Sequence, residues 1–107
     1  MKHGMGVYKA NDKNGVEEVY EGEWKNNMRD GKGIMTSGDG KVYKGEWRGH
    51  RKHGHGSMQW NDGADYTGSW ENNKRHGQGT FNLADGRVFS GKWVADEYQS
   101  VKAEVQN

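Results

Sequence analysis

The chain repeats itself every 23 residues, and this period limits what it can fold into. Three stretches follow one another in register: YEGEWKNNMRDGKG from Tyr20, YKGEWRGHRKHGHG from Tyr43 and YTGSWENNKRHGQG from Tyr66. A shortened fourth stretch, FSGKW, begins at Phe89. A fixed period of this size is typical of repeat proteins, in which each unit packs only against its neighbours. The period therefore predicts an extended array and not a globule around one central core.

Within a repeat, apolar and polar side chains alternate with a period of two, which indicates half-buried β-strands. In the repeat that begins at Tyr43, a first strand places Tyr43, Gly45 and Trp47 on one face. A polar connection over residues 49–53 leads to a second strand over residues 54–60. An Asn-Asp-Gly turn follows, which is a strong signal for a tight hairpin turn. Each repeat is thus predicted to form one hairpin, and its glycines leave bare backbone on which an aromatic ring can lie.

The predicted fold is all-β: a single-layer, twisted antiparallel meander of tandem β-hairpin repeats with a short C-terminal helix. The array is expected to span residues 1–93. It consists of a partial repeat 1–19, the repeats 20–42, 43–65 and 66–88, and a truncated repeat from residue 89. One hairpin buries too little apolar surface to offset its loss of conformational entropy, so the repeats are expected to fold only together.

Both ends of the array depart from the repeat. The chain opens in the middle of a repeat, which is expected of an array trimmed from a longer one or of a naturally short array. The loop 11–18 carries four more residues than the equivalent loop of the next repeat. After Trp93 the pattern stops, and Val94, Tyr98 and two later valines follow a helical spacing. Residues 94–107 are therefore expected to form an amphipathic helix that caps the last strand edge or docks on a partner.

The composition excludes several classes of protein. Mean hydropathy is −1.29, yet 5 Trp and 5 Tyr argue against disorder, which is poor in aromatic residues. No stretch approaches the roughly 20 apolar residues of a membrane span, and the lack of Cys fits an intracellular protein. A net charge of +1 predicts no nucleic-acid partner, because nucleic-acid-binding domains are usually strongly basic.

No catalytic, cofactor or metal site is predicted. The histidine-rich stretch 50–55 has no Cys or well-placed carboxylate to complete a tetrahedral metal site. The recurring Gly-x-Gly pairs lead into a strand, whereas a phosphate-binding loop leads into a helix. No serine lies beside a histidine and an acid, and a single sheet layer offers no deep cavity. The chain is therefore expected not to be an enzyme.

The repeated residues resemble the MORN (membrane occupation and recognition nexus) repeat, whose pattern is similar to YxGxWxxxxxHGxGxxxxxDGxx. The resemblance covers residues 20–93 almost continuously; Asp30 stands where His53 and His76 stand, and Ser69 replaces a second Glu. It implies a scaffolding module that works in the cytoplasm, on cytoskeletal, ciliary or membrane-associated structures. It also implies self-association, for which the open sheet edges give a physical reason.

The predicted binding surface is the aromatic face of the sheet. One layer cannot cover all of its rings, so an apolar groove is expected to receive a helix or peptide of a protein partner. Packing of the rings on one another and on the backbone is the competing interpretation, and it is compatible with a groove. The predicted groove residues are Trp24, Met35, Tyr43, Trp47, Met58, Trp60, Tyr66, Trp70 and Phe81.

Basic residues in the connections form a second candidate surface, made of Arg48, Arg51, Lys52, Lys74 and Arg75. Aligned along one rim, they would contact acidic phospholipids with about 1 kcal/mol for each charge near the surface. A solvated loop edge is the alternative. Peripheral membrane attachment is accordingly the rival function, and a further rival is an accessory part of a larger enzyme, such as a lipid kinase or methyltransferase.

Overall fold

Nine β-strands form one antiparallel sheet in the computed structural model, which describes residues 4–99. The strands pair in chain order, as a meander does, and the molecule measures 58 × 26 × 20 Å. The described part of the chain contains no helix. The strands are β1 Gly4–Asn11, β2 Glu17–Lys25, β3 Met28–Ser37, β4 Val42–Arg48, β5 Arg51–Gln59, β6 Asp65–Glu71, β7 Lys74–Asn82, β8 Val88–Val94 and β9 Glu97–Tyr98. The predicted single-layer meander of hairpins is confirmed.

Each hairpin closes through a two-residue turn in which both residues have positive φ. Gly49 and His50 have φ values of 55° and 72°, and the turns at 26–27, 72–73 and 95–96 are alike. Positive φ at both positions defines the type I′ turn, whose twist matches that of the flanking strands. The polar connection predicted over 49–53 is therefore shorter than expected, because residues 51–53 already belong to β5.

In three hairpins, a bulge in the second strand accommodates two residues that have no partner on the first strand. Gly45 pairs with Gly56 and Trp47 pairs with Lys52, so two steps on β4 correspond to four steps on β5. Gly54 lies in the bulge with a φ of 72°, and a Cβ there would collide with the carboxylate of Glu46. Side chains continue to alternate between the same two faces beyond the bulge, because β5 has two more residues there than β4, which is an even number.

Loops of four or five residues join one hairpin to the next. In the loop after β3, the Gly40 N–H donates to the Ser37 carbonyl at 2.9 Å and Gly40 has a φ of 100°. The four extra residues predicted in the loop 11–18 do not form a larger loop. They lengthen the hairpin instead, since β1 continues to Asn11 opposite Glu17.

The end of the array differs from the prediction of a helix over 94–107. Ala95 and Asp96 form another type I′ turn, and Glu97–Tyr98 returns as the short strand β9 beside β8. The helix is therefore wrong over this part, because the hairpin signal continues past Trp93 at the same distance from the tryptophan as in earlier repeats. The remainder of the predicted helix, residues 100–107, lies outside the described residues.

The core is a strip of tyrosines and tryptophans on one face of the sheet. Tyr43 is 1% exposed, and its ring lies against Gly56 on the next strand, where a Cβ would collide with it. Its hydroxyl donates to the Glu46 carbonyl at 2.9 Å. Tyr20 and Tyr66 make the equivalent bonds. An aromatic ring on bare backbone is thus the unit that recurs along the array, as the glycine spacing predicted.

Candidate functional site

The structure brings the predicted groove residues together on one face, here called the aromatic face. Met35, Tyr43, Met58, Tyr66 and Phe81 are successive cross-strand partners and form one row over five strands. The row runs across the strands, along the length of the array. Directly opposed side chains on one face of a sheet pack against each other, so the row is continuous.

The tryptophans form a second row that joins neighbouring hairpins. The Trp47 indole N–H donates to the Gly33 carbonyl at 3.3 Å, and the Trp70 indole N–H donates to the Gly56 carbonyl at 3.1 Å. The Trp47 ring lies edge-on between Tyr20 and Tyr43, with centroid distances of 5.5 and 5.1 Å. Edge-to-face contacts of this kind stabilise aromatic pairs by about 0.5–1.5 kcal/mol beyond burial. The buried tryptophans therefore hold the hairpins to one another.

The nine predicted groove residues differ in how much of each side chain a partner can reach. Four are buried, with at most 5% of the surface exposed, and they form the floor of the aromatic face: Tyr43, Trp47, Tyr66 and Trp70. Five are half-buried and form what we call the accessible set: Trp24, Met35, Met58, Trp60 and Phe81. Trp60 and Phe81 stack with a centroid distance of 5.2 Å. The floor is buried, and the accessible set is what solvent or a ligand contacts.

The structure separates the predicted basic rim into two groups. Arg48, Arg51 and Lys74 are exposed at the edge formed by the type I′ turns. Lys52 and Arg75 are half-buried and lie over the aromatic face. Their separation follows from pairing, because Lys52 stands opposite Trp47 whereas Arg51 stands opposite Arg48.

Lys52 lies at the centre of the aromatic face. Its ammonium is 5.5 Å from the ring centre of Tyr43, 5.7 Å from that of Trp47 and 5.8 Å from that of Trp70. Burial lowers the pKa of Lys52, and the positive charges of Arg29 and Lys41 lower it further. Ring faces attract cations, which offsets part of the cost of burying the ammonium.

Arg29 is a residue of this face that the predicted sets omit. Its guanidinium carbon is 4.8 Å from the ring centre of Trp47, and its Nε donates to His50 Nδ1 at 3.0 Å. Burial lowers its pKa. The signal was present in the sequence, since Arg29, Lys52 and Arg75 occupy the same position of successive repeats.

Arg75 completes this row, which we call the cation row: Arg29, Lys52 and Arg75. The Arg75 guanidinium carbon is 4.9 Å from the ring centres of both Phe81 and Trp93. Its Nε also donates to Asp96 Oδ1 at 3.1 Å. The aromatic face therefore combines ring surfaces with one cation in each repeat.

Between residues 4 and 99, no three His, Asp or Glu side chains are grouped so as to hold a metal ion. Nor does this part of the chain include a helix of the length and apolarity needed to cross a membrane. The candidate site is thus a surface of rings and cations.

Comparison with known proteins agrees with the repeat architecture. A family model described as MORN repeat matches residues 1–15, 20–42, 43–64 and 66–86, which together are most of the chain. The first of these segments lies within the partial repeat 1–19, whose Gly6 and Tyr8 pair with Gly22 and Tyr20. No match was found among curated proteins.

Proposed function

The chain belongs to the MORN repeat family, whose repeats are generally protein- or membrane-binding scaffolding modules, and from that premise we propose that it binds a protein partner through the aromatic face. The activity is binding and not catalysis. The partner contributes a helix or peptide that lies along the array in an apolar groove. We further propose that the module acts in the cytoplasm, on cytoskeletal or membrane-associated assemblies, and that copies associate with one another.

The accessible set carries this proposal. Trp24, Met35, Met58, Trp60 and Phe81 present apolar surface on one face of the sheet, although no second layer of the described chain covers them. Trp supplies a large share of the binding energy in many interfaces, and Met adapts its shape to different partners.

The floor of the aromatic face favours tight binding for a separate reason. The rings of Tyr43 and Tyr66 are held against glycine backbone and by hydroxyl bonds of 2.9 and 3.0 Å. A surface already ordered before binding loses little conformational entropy when the partner arrives. The array therefore offers a preorganised surface whose length grows with the number of repeats.

Site-specific photo-crosslinking tests the proposed surface. A photoreactive residue replaces Met58 in the accessible set, and in a matched variant it replaces Ile34, which is 37% exposed on the opposite face. We expect crosslinks to one protein partner from position 58 and none from position 34, in variants whose circular dichroism matches the unmodified chain. Crosslinks only from position 34, or equal crosslinks from both, would place recognition elsewhere.

Peripheral membrane binding is a second candidate, supported by the turn edge. Arg48 and Arg51 stand directly opposite each other across the hairpin, although like charges in such pairs destabilise a sheet. An external anion would relieve this repulsion. Sedimentation with phosphatidylserine vesicles tests the idea: binding should weaken with salt and disappear in Arg48→Glu/Arg51→Glu. Equal binding to phosphatidylcholine vesicles would refute it.

A further inference from the structure

We infer that the partner segment is an acidic amphipathic helix that runs along the array and presents carboxylates, seven residues apart, to the cation row of Arg29, Lys52 and Arg75. This inference rests on the function proposed above and names the chemistry of the partner. Four observations support it: the unequal charge of the two faces, the unpaired state of Lys52, the spare hydrogen-bond donors of the two arginines, and the spacing of the row.

Charge is divided unequally between the faces of the sheet. Strand pairing places all three members of the cation row on the aromatic face, opposite Trp24, Trp47 and Trp70. Among strand residues between positions 4 and 99, alternation places a single acid, Glu18, on that face. The opposite face mixes both signs, as the neighbours Lys44 and Glu46 illustrate. A ligand that fits the aromatic face is therefore anionic as well as apolar.

Lys52 has no carboxylate partner within the described part of the chain. The four ion pairs there involve Asp39, Glu71, Asp85 and Asp96 as acids, and none includes Lys52. Its ammonium is half-buried among three rings, which replace only part of the hydration that it loses. A carboxylate delivered by the partner would make a charge-assisted hydrogen bond at this point, with water excluded by the rings.

The two arginines retain donors for the same purpose. Arg29 uses Nε and Nη2 toward His50, and Arg75 uses Nε and Nη2 toward Asp96, which leaves three N–H donors on each guanidinium. A guanidinium has five N–H donors in a planar fork, so each can bind a further carboxylate.

The spacing of the cation row selects a helix. Equivalent residues of successive repeats are two strands apart, which corresponds to about 10 Å along the array. Seven residues of an α-helix advance by about 10.5 Å and return to nearly the same side of the helix. Glu or Asp at every seventh position would therefore reach successive members of the row, while neighbouring apolar side chains contact Met35, Met58 and Phe81 of the accessible set.

Peptide display against the full chain tests this inference. The library holds helical peptides of about 20 residues, long enough to pass all three cations. Leu and Met form one stripe, and the flanking positions are random. We expect the enriched peptides to carry Glu or Asp at a seven-residue interval, and a synthetic copy of one of them serves as the probe for affinity measurements by tryptophan fluorescence.

A matched pair of variants isolates the role of Lys52. Lys52→Met keeps the aliphatic stem between the rings and removes the charge, while Lys44→Met removes an equal charge from the opposite, exposed position. The probe peptide should bind about tenfold more weakly to Lys52→Met and with unchanged affinity to Lys44→Met. Its binding to the unmodified chain should also weaken as salt is added.

The possible outcomes separate this inference from the function on which it rests. If the enriched peptides lack periodic acids and still bind Met58→Gln more weakly than the unmodified chain, the acidic helix is refuted and the apolar groove is supported. If no peptide responds to Met58→Gln, both ideas are wrong. If the affinity of the probe peptide falls equally in Lys52→Met and Lys44→Met, binding depends on the overall charge of the chain, and the role of the cation row is refuted. Capture of phosphatidylserine vesicles in a manner that depends on Lys52, without peptide binding, would assign the row to lipid instead.

Discussion

At the scale of single residues, the tyrosines of the floor connect the fold to pH. Burial raises the pKa of Tyr20 to about 12, and it also raises the pKa values of Tyr43 and Tyr66. Each of these phenols ionises near pH 10 in an unfolded chain. The stabilisation that the neutral phenols provide is fully present below about pH 10 and is lost as pH rises through the folded pKa.

We therefore predict that the free energy of unfolding falls between about pH 10 and pH 12, and that phenolate absorbance rises together with loss of the sheet. Urea unfolding followed by circular dichroism measures the first quantity, and ultraviolet absorbance measures the second. Tyr20→Phe should reduce the alkaline loss because it removes one of the ionising groups. Complete ionisation of all tyrosines near pH 10 in a folded sheet would contradict the prediction.

At the scale of elements, three of the type I′ turns also bind the hairpin before them. Asn73 Oδ1 accepts the Lys52 N–H at 2.8 Å, and Asp96 Oδ1 accepts the Arg75 N–H at 2.8 Å. His50 occupies the equivalent position, where its Nδ1 accepts the Arg29 N–H at 3.2 Å. The third residue after Trp47, Trp70 and Trp93 thus supplies an acceptor that joins consecutive hairpins.

Substitution of His50 tests this role. His50→Asn keeps an acceptor and a residue that tolerates positive φ, so we expect stability to be unchanged or slightly higher. His50→Ala removes the acceptor and places an unfavourable residue at a φ of 72°, which should cost about 1–2 kcal/mol. Thermal and urea unfolding of the two variants provide the comparison. Equal stability of both would show that the turn closes the hairpin without joining it to its neighbour.

The sequence predicted the strands and the turns between hairpins, because the residue types that form them recur in successive repeats. Alternation located the strands, and Asp-Gly located the turns between hairpins. The type I′ turn at Gly49 and His50 was missed because its residue types vary between repeats. The bulge at Gly54 was missed because an even number of extra residues leaves alternation unchanged. Lys52 was assigned to the rim because the connection was expected to continue to residue 53, whereas β5 begins at Arg51.

At the scale of the whole molecule, stability and surface both follow from nearest-neighbour contacts. Every strand of the sheet pairs only with the strands before and after it in the chain. In such a linear array, a complete unit can be removed without disturbing the contacts that remain. Deletion of residues 43–65 would connect Val42 to Tyr66, which stands where Tyr43 stood in the repeat. The row of aromatic partners would then continue, with Met35 opposite Tyr66.

We predict that this 43–65 deletion folds as a shorter meander with a lower melting temperature, and that it binds the helical probe peptide more weakly because Lys52 and Met58 are lost. Circular dichroism and thermal unfolding measure the first effect, and peptide fluorescence measures the second. Deletion of residues 43–54 is the control, because it removes one strand with part of the next and brings two strands of the same direction together. That control should fail to fold. An unfolded 43–65 deletion would mean that the sheet depends on contacts beyond neighbouring hairpins. A folded control would mean that the complete repeat is not the unit that the sheet requires.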